Sequence, residues 1–133
     1  MFLKDEIIDH VGILTIQREE ALNAVNPEVL KELNSMLINL ISNHNVDSII
    51  ITGAGEKAFI AGADIKLMQS FDKIQARDFG EVGQKLTLEI ENSPKPVIAA
   101  VNGFALGGGC EMHYLVTLDM LVKMHFLLSQ KLN

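Results

Sequence analysis

Apolar positions along the chain follow two rhythms. Residues 7–17 (IIDHVGILTIQ) are rich in β-branched side chains, with Val11, Ile13 and Thr15 on one face and Leu14 and Ile16 on the other. That alternation predicts a strand near a sheet edge. From Asn26 the period lengthens: Val29, Leu30, Leu33, Met36, Leu37, Leu40 and Ile41 recur at three- and four-residue spacing. This is an amphipathic helix with Asn26 as its N-cap, Pro27 at its first position and Glu28 at its positive end. Residues 48–52 (SIIIT) form a short apolar run closed by Gly53-Ala54-Gly55, the pattern of a central strand covered on both faces. Strand, helix, strand implies a right-handed parallel crossover. FIAGADI at 59–65 precedes a short helix capped by Asp64, and a longer helix runs from about residue 72 to 91 with Phe79, Val82, Leu86 and Ile90 on its apolar side. Ser93-Pro94-Lys95-Pro96 ends it. Residues 97–101 (VIAAV) read as another buried strand, Asn102-Gly103 as a turn, and Gly107-Gly108-Gly109 as the opening of a final helical segment. The class is α/β, without internal repeat or linker.

Composition narrows the possibilities. A chain of 133 residues, 48% hydrophobic and 21% charged, is one globular domain with one core. Seventeen acidic against eleven basic residues give a net charge of −6, and no Lys/Arg cluster offers a footprint for phosphate backbones, so no nucleic-acid partner is expected. The single cysteine, Cys110, forms no internal disulfide, and four scattered histidines suggest no metal site. A reducing, cytoplasmic setting fits. The amino terminus MFLKDEIIDH is charged where a signal peptide is apolar, and the greasy stretch 115–128 is interrupted by Asp119, Lys123 and His125. No membrane association is expected.

Two predicted strands end in small-residue peptides, AGAD at 61–64 and GGGCE at 107–111. At the carboxyl edge of a parallel sheet such peptides let a ligand approach backbone N–H groups, and two amides converging on one oxygen make an oxyanion hole. The same glycines equally serve tight turns and close helix packing. Glu111 either complements a helix dipole or performs acid/base work beside that oxyanion. Cys110 reads as a small buried side chain, since no histidine is spaced to activate it, and Met112, Met120 and Met124 as helix-core material. Gly53-x-Gly55-x-x-Ala58 loosely matches a dinucleotide fingerprint, but Phe59-Ile60-Ala61-Gly62 follows where a helix should open.

Three segments together carry a more specific signal: ALNAVN at 21–26, IIITGAGEKAFIAGADI at 49–65 and KPVIAAVNGFALGGGCE at 95–111. In this order and spacing the chain resembles the amino-terminal half of the crotonase superfamily, the enoyl-CoA hydratases and isomerases, and looks closest to the short-chain hydratases. The resemblance implies a crotonase-like ββα spiral core with parallel strands and flanking helices, of which residues 1–111 are the amino-terminal part. It implies an acyl-CoA thioester as substrate, with coenzyme A part of that substrate and no separate cofactor or metal. It makes the amides of Ala61 and Gly108 the oxyanion hole and Glu111 the first of two catalytic glutamates. Leu22, Ala61, Gly62, Ala63, Asp64, Ile65 and Gly108 would contact substrate. The family forms trimer-based homo-oligomers, through carboxy-terminal helices expected to be missing here. Adding water to a 2-enoyl thioester puts negative charge on the thioester oxygen, which two amides stabilise while carboxylates manage water and proton.

After Glu111 the pattern changes. The family's second catalytic glutamate should fall at position 131, which is Lys131. If each new codon takes the third base of one residue and the first two of the next, allowed codons from Met112 spell Ala-Leu-Ser-Cys-Asp-Ile-Arg-Tyr-Ala-Ser-Glu-Asn-Ala-Phe-Phe-Thr-Gln-Pro-Glu-Val, the family's continuation. The expectation is therefore that one base is lost near codon 112 and that 112–133 is an out-of-frame tail. The chain would then be a truncated, catalytically impaired hydratase, or a non-catalytic remnant that binds acyl-CoA weakly or associates with intact relatives.

Overall fold

A computed structural model describes residues 1–103, the side chain of Ile65 excepted. The readings placed on Gly108, Cys110, Glu111, the final helical segment and the tail 112–133 lie outside the described residues. The elements are β1 (Leu3–Ile8), β2 (Val11–Ile16), α1 (Pro27–Ile41), β3 (Ser48–Gly53), α2 (Ile65–Met68), α3 (Lys73–Glu91) and β4 (Val97–Ala100). They build one four-stranded sheet in the order β1-β2-β3-β4. β1 and β2 are antiparallel, whereas β2, β3 and β4 run parallel. This mixed α/β sheet with flanking helices is the expected architecture.

The sequence pattern merges two strands that the structure separates. Asp9 and His10 both adopt left-handed conformations, φ 49° and 67°, and close a two-residue hairpin between β1 and β2. β2 is thus an interior strand and β1 is the edge. β1 lacks a clean alternation because only Leu3 is fully buried, while Ile7 and Ile8 stay exposed. β2 and β3 alternate, with Leu14, Ile16, Ile49 and Ile51 on the deeply buried face.

The helices form as their caps and stripes dictate. Asn26 Oδ1 accepts from the Val29 amide at 2.8 Å, Pro27 occupies the first turn, and Val29, Leu30, Leu33, Leu37 and Leu40 are buried. α3 opens with a reciprocal capping box: Asp72 Oδ1 accepts from the Gln75 amide at 2.8 Å, and Gln75 Oε1 accepts from the Asp72 amide at 3.0 Å. Phe79, Leu86 and Ile90 face the core, and α3 packs on α1. Lys95 bends back across this layer. Its ammonium donates to Leu40 O at 2.9 Å and Asn43 O at 2.7 Å, closing the carboxyl end of α1. Among the described residues no helix is long and apolar enough to cross a membrane.

Candidate functional site

Parallel pairing sets the carboxyl ends of β2, β3 and β4 on one edge, and the three loops that leave them are sewn together there. Two asparagines do most of the sewing. Asn23, 1% exposed and left-handed at φ 57°, accepts from the Arg18 amide at 2.9 Å and donates to Ala54 O at 3.1 Å and Ala58 O at 2.9 Å. Asn102, just past β4, donates to Gly53 O at 2.8 Å, Gly55 O at 2.7 Å and Ala58 O at 3.4 Å. The loop 53–58 is therefore held from both sides. Gly103 completes the clamp, because a Cβ there would run into the carbonyl of Lys57.

A cleft of about 380 Å³ opens over this loop, lined by Glu19, Leu22, Asn23, Ala54, Gly55, Glu56, Lys57 and Ala58. Leu22, expected on the substrate path, is one wall of it and 41% exposed. The segment 61–64 is not among the lining residues; it runs beside the loop that carries Leu22. The Ala61 amide donates to Leu22 O at 3.1 Å, the Val25 amide to Gly62 O at 2.8 Å, and the Asp64 amide to Val25 O at 2.9 Å. Val25 and Ala63 form a parallel bridge. Here Val25 makes both bonds of the bridge, so the N–H of Ala63 points away from that loop. Among the described residues neither the Gly62 nor the Ala63 amide meets an acceptor, whereas the Ala61 amide, expected to serve a ligand, is bonded within the chain.

Asp64 joins this segment to the end of β2. Its carboxylate takes a 2.8 Å salt bridge from Arg18 Nη2 and a 3.3 Å bond from the Leu67 amide at the start of α2, the predicted cap. The Arg18 hydrogen bond holds the Asp64 carboxyl below its ordinary value against the opposing effect of burial, with the Leu67 amide helping. The sequence pattern gives no role to Arg18 or Asn23, and reads Asn102 only as half of a turn. Asn23 and Asn102 sit inside the quoted ALNAVN and VNG strings, and an amide side chain beside glycine-rich loops is the available signal. Among the described residues no group of three or more His, Cys, Asp or Glu could hold a metal ion.

The comparisons with known proteins agree with the fold. The enoyl-CoA hydratase/isomerase family profile matches residues 6–123. A short-chain-enoyl-CoA hydratase of Clostridium acetobutylicum is 50% identical over 102 residues, which are 77% of this chain and 39% of that protein. A crotonyl-CoA hydratase of Syntrophomonas wolfei is 48% identical over 104 residues, 78% of this chain and 40% of that protein. Among solved structures, an enoyl-CoA hydratase from Bacillus anthracis superposes with a TM-score of 0.80 at 32% identity, covering 90% of this chain and 45% of that one. The chain spans less than half the length of these relatives. On the family match and the shared fold, the chain belongs to the enoyl-CoA hydratase/isomerase family.

Proposed function

We propose that this chain binds a short 2-enoyl-CoA thioester, and that the reaction its fold serves is the reversible addition of water across the 2,3 double bond. The observation that carries this reading is the placement of 61–64. Three backbone hydrogen bonds fix the segment to the loop 22–25, and the bridge turns the Ala63 amide outward. A donor fixed in advance stabilises charge developing on a thioester oxygen without reorganising at the moment of reaction. Because the Ala61 amide is taken by Leu22 O, we assign the donor on this segment to Ala63, with Gly108 supplying the second amide and Glu111 the carboxylate that handles water and proton. Leu22 and the cleft beside it suit the thioester's pantetheine arm. Coenzyme A arrives as part of the substrate, in a cytoplasmic setting, and the homo-oligomer typical of the family belongs to the full-length product, whose carboxy-terminal helices are not part of this sequence.

The tail modifies this reading. Lys131 stands where the second glutamate is expected, and general acid/base help is worth about 10²- to 10⁴-fold. We therefore propose that residues 112–133 are read out of frame and that turnover by the 133-residue chain is impaired while binding persists. The test compares the purified chain with a version carrying one added base at codon 112, following calorimetric binding of crotonyl-CoA and loss of the conjugated thioester absorbance. Equal turnover by the two would refute the impairment; absence of binding by both would refute the function.

A further inference from the structure

Arg18 lies two residues beyond β2, and its contacts converge on one place. Its backbone amide donates to Asn23 Oδ1, its Nη1 to Ala24 O at 2.8 Å and its Nη2 to Asp64 Oδ2 at 2.8 Å. The guanidinium carbon also sits 5.6 Å from the centre of the Phe2 ring. The pair is largely withdrawn from water, with side-chain exposures of 15% for Arg18 and 21% for Asp64. None of these bonds belongs to the sheet ladder. They join the loop 22–25 to the residue that follows Ala63, on the segment that carries the outward amide.

We propose that Arg18 is a positioning residue for thioester binding: its planar fork fixes Ala24 O and the Asp64 carboxylate relative to each other and so aims the Ala63 amide at the thioester oxygen. This rests on the function proposed above. Two acceptors on different segments are met by two nitrogens of one rigid group, and the Phe2 ring lies within cation–π range of it. A lysine carries the same charge on a single nitrogen at the end of a flexible stem, without the planar fork that presents two nitrogens at a fixed spacing. Asparagine at 64 keeps an oxygen for the Leu67 amide but loses the charge that holds the guanidinium.

The experiment uses the full chain and the variants Arg18→Lys and Asp64→Asn, with three readouts: crotonyl-CoA affinity by calorimetry, the infrared stretch of the bound thioester carbonyl, and amide hydrogen exchange. The wild type should bind with the carbonyl stretch lowered from its free value. Both variants should bind about tenfold more weakly, with the stretch returned toward that of free crotonyl-CoA. Exchange should quicken at the Val25, Ala61 and Asp64 amides and stay unchanged in the β2–β3 ladder. Unchanged exchange at those three amides overturns the proposal, as does unaltered affinity and carbonyl stretch in variants whose exchange has quickened. Equal loss of protection throughout the sheet also overturns it, since Arg18 would then serve the fold as a whole. Failure of the wild type to bind crotonyl-CoA sinks the functional reading instead, and the exchange pattern still decides whether Arg18 holds the segment.

Discussion

Asn23 shows how much one small side chain does at this edge. It is buried, left-handed, and bonded to three backbone groups from two loops. Alanine there removes those bonds and places a residue less tolerant of positive φ in a strained conformation. We expect Asn23→Ala to destabilise the protein by about 2–4 kcal/mol, read from urea unfolding monitored by circular dichroism. Asp64 makes a prediction about acidity. Its folded carboxyl titrates below its ordinary value of 3.8, so its stabilising contribution is complete above that value and is lost as the pH falls through the lower, folded one. The stability gap between the wild type and Asp64→Asn should therefore be constant near neutrality and vanish in strong acid, which a series of urea titrations at decreasing pH would reveal. Neither asparagine nor arginine here carries a periodic signal, because their work depends on loops that meet only after the sheet has formed.

At the scale of elements, legibility follows the physics of repetition. α1 could be read from its cap and stripe and α3 from its stripe because one helix face is buried over many turns, and Asn26 and Pro27 stand where the structure uses them. β1 could not, because an edge strand with charged residues and one fully buried position offers no alternation, and its hairpin turn is Asp9-His10 rather than a glycine pair. The resemblance names Ala61 as the oxyanion amide, and the pattern itself says nothing about which N–H on this segment faces outward, since that is set by register against Val25, a long-range pairing. The capping box of α3 is open to test on its own. Asp72→Ala removes the acceptor of the Gln75 amide on an exposed helix end and should lower stability by about 1 kcal/mol, measurable as a drop in thermal midpoint without change in the α1 or sheet amides' exchange order.

At the scale of the molecule, the sheet places three loops on one edge before any chemistry is considered, and the quoted family strings are mostly those loops. ALNAVN leaves β2, GAGEKAF leaves β3 and VNG leaves β4. Their spacing was legible because each must reach the others across neighbouring strands. The out-of-frame reading of 112–133 makes its prediction here. Adding one base at codon 112 should open a frame that places Pro-Glu at positions 130 and 131, and its product should be soluble, oligomeric and active on crotonyl-CoA. Substituting Gln for Glu111 in that product should remove most of the rate while preserving binding. Sequencing the gene checks the premise directly: codons that do not spell the family's continuation would sink it.

The hold of Asn102 on the loop 53–58 also sets a chemical lifetime. An asparagine followed by glycine is prone to ageing, because the unhindered Gly103 nitrogen can attack the side-chain carbonyl, expel ammonia and leave an imide that water opens to aspartate or isoaspartate. Folded, Asn102 is detained by three carbonyls, and that restraint opposes the rotation the attack requires. Once the reaction occurs it is self-confirming. A carboxylate has no hydrogen to offer Gly53, Gly55 and Ala58, sets its charge against their oxygens, and loosens the loop that had delayed it. The protein's age would thus be written first at the mouth of its cleft, well before the sheet beneath records it.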